Sequence, residues 1–132
     1  VYSSGSYLPS DKNLKLNEED YADALALVNK IPVKTYSYKQ DGIYGKMSLP
    51  RGEQVGIMAQ DLQEVLPQLV KHAYFEDVEA FENGEVAKED MPSIDFNAVN
   101  YTGLVPVLVK AMQEQQEMIE QLQAEIELLK ND

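Results

Sequence analysis

Ser10 and Lys15, five positions apart, are the residues of this sequence that best fit a catalytic pair. A serine hydroxyl becomes a useful nucleophile only when a neighbouring group accepts its proton. A lysine accepts that proton only as a neutral amine, so the pKa of such a lysine must fall from about 10.4 toward neutrality through burial or nearby charge. Given an oxyanion hole, a serine and a lysine are chemically sufficient for peptide-bond cleavage.

The same two residues also have an ordinary structural interpretation. Residues five apart lie on different sides of a helix and on opposite faces of a strand, so Ser10 and Lys15 can meet only across a bend. The segment "SDKN" at 10–13 favours a bend, because Ser, Asp and Asn stabilise turns. In this interpretation Ser10 or Asp11 caps the turn and Lys15 is solvated. The residues alone favour it, since such a pair occurs by chance in most proteins.

Other catalytic sets are weaker. Nothing in the sequence would separate the pKa values of Asp11, Asp20 and Asp23 into an acid and a base. The single histidine, His72, lies in the strand-like segment "LVKHAYF" and is interpreted as a core or edge residue. There is no glycine-rich phosphate loop. The sequence therefore predicts no cofactor and no metal site.

Length and composition narrow the function classes. The 132 residues fit one small domain with a modest core. The formal charge of -12 repels phosphate backbones and anionic lipid, so neither nucleic acid nor a membrane is an expected partner. The absence of cysteine excludes disulfides and thiolate chemistry. The serine- and glycine-rich start at 1–9 is expected to be a linker or the end of an upstream stem, in a piece of a longer protein.

The pattern along the first half predicts short helices and strands. Asn17 and the acids after it favour a helix N-terminus, so a helix is expected from about Glu18 to Ile31, where Pro32 stops it. Its expected buried stripe is Tyr21, Ala24, Leu25 and Val28. Strands are predicted at 33–39 and 53–58, with a turn at Asp41–Gly42. The segment 59–70 is predicted to form a short helix that ends near Pro67 and has Leu62, Val65 and Leu66 on its buried side.

An acidic excursion is expected between Val70 and Asp95. Seven acids lie from Glu76 to Asp90, and Asn83–Gly84 is a turn signal, so this stretch is predicted to be an exposed hairpin or loop. The acids lack the alternating spacing and the closing Glu of a calcium loop. A solvated loop is therefore favoured over a calcium site.

The C-terminal third has the clearest pattern. After a cap at Asn100 or Thr102, apolar positions recur at alternating steps of three and four residues, as in a coiled-coil seam. So long a seam favours a partner helix over packing on its own domain. Periodicity leaves dimer and trimer open, because Ile at a with Leu at d favours two strands whereas Gln115 is compatible with three. The seam is Val105, Leu108, Met112, Gln115, Ile119, Leu122, Ile126 and Leu129.

Four blocks in chain order resemble one protein family. "SDKNLKLN" at 10–17 resembles its opening Ser-Asp-x-x-Leu-Lys signature, and "ALALVNKIPVKTYSYK" at 24–39 is similar to its helix and Pro-containing strand. "VGIMAQDLQEVLPQLV" at 55–70 resembles its Ala-Gln-to-Pro core, and "VNYTGLVPVLVKAMQEQ" at 99–115 its Tyr-led helix. The family is the C-terminal intramolecular chaperone and auto-processing domain of endosialidase-type phage tailspikes and tail fibres, also found in myelin regulatory factor.

The resemblance implies a domain that forms a homotrimer, helps an upstream β-rich stem of the same polypeptide to fold, and is then released by autoproteolysis. By position, Ser10 is the nucleophile, Lys15 its general base and Pro9–Ser10 the scissile bond of a single-turnover serine peptidase. The implied fold is a small α+β core at 10–104, followed by a coiled-coil helix at 105–132. The implied location is a phage particle or a bacterial cell surface.

A second hypothesis belongs to a different class. In it, the chain is a non-catalytic cap that trimerises and anchors a fibre or surface adhesin, and Ser10 is only a turn residue. An enzyme with a separate substrate is disfavoured, because no concave site with convergent polar groups can be assembled from the sequence.

Overall fold

The computed structural model of the protein describes residues 7–131, which form a mixed α+β domain with a long C-terminal helix, as predicted. Of the predicted linker at 1–9, residues 1–6 lie outside the described residues, and 7–9 are exposed without regular structure. The helices are α1 (Ala24–Val28), α2 (Ala59–Val65), α3 (Val78–Glu82) and α4 (Leu104–Lys130). The strands are β1 (Lys34–Tyr36), β2 (Gln54–Gly56), β3 (Val70–Glu76) and β4 (Ser93–Val99).

Two antiparallel pairs of strands make up the β-structure. β1 pairs with β2, with Lys34 opposite Gly56, and β3 pairs with β4, with Val70 opposite Val99. Both predicted strands of the first pair are confirmed in shortened form, although Asp41 leads into a 3-10 helix at Gly42–Lys46 instead of a tight turn. The predicted excursion from Val70 is a hairpin whose long connection contains α3.

The core lies between α2 and the first turns of α4. Leu62 and Leu66 are buried and Val65 is half-buried, as the predicted stripe requires, and α2 gives way to a 3-10 helix at Pro67–Leu69. Three small or aliphatic side chains of α4 and one of α1 close this core. They are Leu104, Val107, Ala111 and Ala24.

The predicted helix from Glu18 to Ile31 is wrong in extent, because α1 begins only at Ala24. Asn17 and Asp23 both have positive φ, 56° and 61°, which lies outside the helical region, so the chain cannot continue as a helix through either residue. Asn17 therefore does not cap α1. The N-terminus of α1 is instead capped from α4. The Glu114 carboxylate accepts hydrogen bonds from the backbone N–H groups of Asp23 at 3.0 Å and Leu25 at 2.8 Å.

Replacing Glu114 by alanine is expected to lower the free energy of unfolding by about 1–3 kcal/mol, because two backbone donors lose a charged acceptor. Urea unfolding at a fixed chain concentration measures the change. Glu117→Ala is the matched control, since Glu117 is exposed on the same helix and the change should stay within about 0.5 kcal/mol. Equal effects of the two substitutions would contradict the capping role.

α4 presents two different faces. Leu104, Val107 and Ala111 pack on the domain, whereas the predicted seam from Val105 to Leu129 is exposed, with Met112 71% exposed. The N-cap residue of α4 is Gly103, so the predicted cap at Asn100 or Thr102 is wrong. The Asn100 side chain instead accepts the N–H of Gly103 at 3.0 Å, and Thr102 contributes its carbonyl to Val105 N–H. The helix is confirmed. Packing on its own domain uses a different face and leaves the seam uncovered.

One acid of the excursion departs from the solvated-loop prediction. Asp77 is 5% exposed, and its Oδ2 lies 2.7 Å from Lys46 Nζ. Its other oxygen caps α3 by accepting the N–H of Ala80. The hydrogen bond from Lys46 lowers the pKa of Asp77, although burial opposes this, and the same bond raises the pKa of Lys46. This ion pair ties the Gly42–Lys46 turn to the start of α3.

Replacing Lys46 by methionine is expected to lower the melting temperature at pH 7. Because the pKa of Asp77 is depressed below 3.8 in the folded state, the contribution of the pair is fully present above that value and is lost as the pH falls through the folded-state pKa. The difference from wild type should therefore begin to shrink below about pH 3.8 and approach zero only below the folded-state pKa. Lys88→Met, at an exposed site in the same excursion, is the control and should change little at any pH. A difference that persists in acid would contradict the ion pair.

Candidate functional site

The predicted bend at 10–13 exists and brings Ser10 and Lys15 together. A 3-10 turn at Lys12–Leu14 reverses the chain, and Asp11 Oδ1 caps it by accepting the N–H of Asn13 at 2.9 Å. The backbone is extended again at Lys15, whose Nζ donates a hydrogen bond to Ser10 Oγ at 2.7 Å. Of the predicted caps it is Asp11, not Ser10, that holds the turn, which leaves the Ser10 hydroxyl free to face the lysine.

A distance of 2.7 Å is suitable for proton transfer in either direction. With a charged ammonium the lysine donates to the hydroxyl, as in this arrangement. With a neutral amine the same two atoms can exchange roles, and the hydroxyl proton moves to nitrogen as the oxygen attacks a carbonyl. The pair thus has the geometry of a nucleophile and its base.

The surroundings of this pair are open. Ser10, Lys15 and the adjoining Pro9 are exposed. A hollow of ≈ 650 Å³ beside the pair is lined only by residues of the same segment, from Ser10 to Glu19. An exposed ion pair, Lys12 to Glu18 at 3.6 Å, lies at this hollow and contributes little to stability. Burial of a lysine favours its neutral amine, and this segment alone does not bury Lys15.

The other residues considered from the sequence do not join the pair. Asp20 is exposed, and Asp23 belongs to the start of α1. His72 is exposed on β3, with Nε2 3.6 Å from Asp95 Oδ1 of the neighbouring strand. Because β3 belongs to a two-stranded sheet, His72 is an edge residue and not a core one. Across residues 7–131, no group of three His, Cys, Asp or Glu side chains could hold a metal ion. The described helices include none that is both long and apolar enough to cross a membrane.

A tyrosine joins the two blocks at 55–70 and 99–115. The hydroxyl of Tyr101 accepts the N–H of Ile57 at 2.9 Å and lies 3.3 Å from the Ile57 carbonyl oxygen. Gly56 permits this approach, since a Cβ there would lie 2.6 Å from the Tyr101 hydroxyl and 2.8 Å from that of Tyr36. The segments that lead into α2 and α4 are therefore hydrogen-bonded to each other, which fixes the relative position of the two helix starts.

The similarity of this chain to a known protein family begins at Ser10, the candidate nucleophile. Residues 10–71 match the model of a family described as the chaperone of endosialidase. Residues 10–71 belong to the endosialidase chaperone family. The match starts at Ser10, includes Lys15, α1, β1, β2 and α2, and ends in β3. The family resemblance predicted from the four sequence blocks is thereby confirmed.

Similarity to curated proteins covers most of the chain. The chain is similar to the long tail fiber protein Gp37 of Enterobacteria phage Ox2, with 35% identity over 120 residues, which is 90% of this chain and 40% of that protein. It is also similar to the long tail fiber protein Gp37 of Enterobacteria phage M1, with 34% identity over 117 residues, which is 88% of this chain and 39% of the relative. The chain spans about two-fifths of the length of these relatives.

Proposed function

We propose that this endosialidase chaperone domain assembles as a homotrimer, assists the folding of an upstream tail-fibre stem of the same polypeptide, and then releases itself by cutting the Pro9–Ser10 bond. The family membership and the two phage tail-fibre relatives support the chaperone role. The observation that carries the cleavage is the 2.7 Å hydrogen bond between Lys15 Nζ and Ser10 Oγ, held by a capped turn immediately after the bond to be cut.

The cleavage has a simple chemical course. Ser10 Oγ attacks the carbonyl carbon of Pro9, and its proton passes to the neutral amine of Lys15. The bond between that carbon and Ser10 nitrogen then breaks, the nitrogen takes the proton back from Lys15, and an ester joins Pro9 to Ser10 Oγ. Water hydrolyses the ester. The products are a carboxylate at Pro9 and a domain that begins with a free amine at Ser10, so no external reactant except water is needed.

Trimerisation is supported by the exposed seam of α4. Its side chains include Ile119 and Leu122, which are 43% and 57% exposed and have no partner within the described chain. The first turns of α4, "LVPVLVKAM", are apolar on nearly every side, and a helix apolar all round is normally buried. The domain's own core covers only the face of Leu104, Val107 and Ala111. Helices of other copies are the partners that a heptad seam fits.

The experiment that tests this function is expression of the domain behind its natural upstream segment. A free domain whose N-terminus is Ser10 and a trimeric mass in solution are the expected products, measured by N-terminal sequencing and light scattering. A stem that folds equally well when the domain is deleted would remove the chaperone role.

A further inference from the structure

The N-terminal arm, residues 7–22, is not buried against any other part of the chain that the structure describes. Every residue of the arm is exposed. Within residues 7–131, its hydrogen bonds and ion pairs join arm residues only to each other, as in Lys15 to Ser10 and Lys12 to Glu18. Leu14 and Leu16, on either side of Lys15, are 69% and 89% exposed. Two leucines beside a catalytic candidate are thus left in water.

The arm nevertheless has a defined shape and a fixed root. The capped turn at Lys12–Leu14 sets its middle, and Asn17 has a positive φ of 56°, a conformation that asparagine adopts more readily than most residues. At its C-terminal end, Asp23 is bonded to Glu114 of α4. Glu114 is the neighbour of Gln115 in the exposed seam, so the arm leaves the domain at the place where helices of other copies are proposed to meet.

A groove elsewhere on the domain has the complementary character. It has a volume of ≈ 620 Å³ and lies between β1, the start of α2 and β4. Tyrosines and other apolar side chains form most of its lining, among them Tyr36, Tyr38 and Phe96. In a chain with 23 acidic residues, none of the lining residues is acidic, and the one charged residue of the lining is Lys39. We call this surface the tyrosine groove.

We propose that the arm of one copy lies in the tyrosine groove of a second copy of this chain. Leu14 and Leu16 would fill its apolar part, and the acidic run Glu18, Glu19 and Asp20 would approach Lys39. Docking of the arm would also place a wall from the second copy against the open hollow beside Ser10 and Lys15. The cleavage site is therefore incomplete without the neighbouring subunit. This inference rests on the proposed trimer for the presence of a neighbour.

Chain lengths permit this contact. Leu16 is seven residues from Asp23, and seven extended residues reach at most about 25 Å. Along α4, the ten residues from Leu104 to Glu114 rise only about 15 Å. Tyr101 lines the groove just before that helix. The arm can thus reach from the level of Glu114 on one helix to the level of Tyr101 on an adjacent one.

Cysteine cross-linking of the full chain tests the proposal, because the natural sequence has no cysteine. The double variant Leu16→Cys with Ala98→Cys places one thiol on the arm and one in the groove, where Ala98 is part of the lining. A short bis-maleimide is expected to give mainly covalent dimers and trimers on a denaturing gel. The matched control is Leu16→Cys with Val78→Cys, which moves the second thiol to an exposed site on α3 and should give several-fold less. Adding Lys39→Glu to the first pair should lower its yield several-fold.

Light scattering of the same samples separates this inference from the proposed function. If the protein is trimeric but the variant with Ala98→Cys cross-links no better than the variant with Val78→Cys, arm docking is wrong and the trimer is still supported. Trimers with cross-links only inside one chain would show that the arm folds back on its own groove, which also overturns the proposal. A monomeric wild type would remove both the trimer and the docking.

Discussion

Replacing Ser10 by alanine is expected to leave the domain joined to its upstream segment, with cleavage at Pro9–Ser10 slowed by roughly 10³-fold or more. The substitution removes the oxygen that attacks the Pro9 carbonyl. It leaves the turn intact, because Asp11 and not Ser10 supplies the cap. The variant should therefore fold and assemble like wild type, and a denaturing gel followed over hours should show only the full-length chain.

Lys15→Met is expected to have an effect of similar size for a different reason. It keeps the length and apolar stem of the side chain but removes the nitrogen that lies 2.7 Å from Ser10 Oγ. General-base catalysis contributes typically 10²–10⁴-fold, so loss of the amine should slow cleavage by about that factor. Lys30→Met is the matched control, because Lys30 is an exposed lysine at the end of α1 and should not alter the rate.

The two substitutions together separate the proposed function from a non-catalytic cap. If wild type, Ser10→Ala and Lys15→Met all stay full length while trimers form normally, autoproteolysis is wrong and the chain is a trimerisation cap. If only the two variants stay full length, the serine and lysine act as a pair. A product that begins at a residue other than Ser10 would instead place the scissile bond elsewhere.

The sequence was informative where a local pattern alone decides the structure. The bend between Ser10 and Lys15 followed from three turn-forming residues within four positions, Ser10, Asp11 and Asn13, and the structure has that bend. The hydrophobic stripe of α2 and the long heptad helix were likewise readable, because a repeat of three and four residues reports directly on one helix face. The stop at Pro67 is also local, since proline excludes a helical conformation at the residue before it.

The failures share a physical cause, which is that a distant residue decides the local structure. Acids after Asn17 are typical of a helix start, yet α1 starts at Ala24 because Glu114, ninety residues later, supplies the acceptors. Asp77 looked like one of seven solvated acids, and only Lys46 on another turn makes its burial favourable. No signal within either segment indicates its partner. The order of charged residues along the chain does not indicate such pairs, which are seen only in the three-dimensional structure.

At the candidate site, too, the local part of the structure was predictable and the part that depends on distant residues was not. The geometry of Ser10 and Lys15 is local and was predictable, but the burial that favours a neutral lysine is not present in the segment, since the hollow beside it is lined by that segment alone. The structure therefore brings the two predicted side chains together but does not bury the lysine within this segment. In the proposed trimer a neighbouring copy supplies the missing wall, so cleavage is expected to depend on the oligomeric state.

Replacing Leu122 by aspartate in the α4 seam is expected to abolish the trimer. Burying a leucine contributes about 1.5–3 kcal/mol, and each of three chains would lose that amount and would bring a charge into the seam. The association constant should fall by several orders of magnitude, so light scattering at micromolar concentration should give the mass of one chain. Ile119→Asp, one step earlier in the seam, should have the same effect.

Leu128→Asp is the decisive control, because it makes the same chemical change six residues further along the same helix but off the seam. Leu128 is 69% exposed and Leu122 is 57% exposed, so exposure in the single chain does not distinguish them and only the heptad position does. We expect Leu128→Asp to remain trimeric. Since neither leucine belongs to the core formed by Leu62, Leu66 and Leu104, both variants should keep a folded domain, measured as slow amide hydrogen exchange in α2. Because the hollow beside Ser10 lacks a second wall in one chain, the monomeric Leu122→Asp variant should also cleave at Pro9–Ser10 far more slowly than the trimeric Leu128→Asp variant. Equal cleavage rates in the two variants would show that cleavage does not depend on trimer formation.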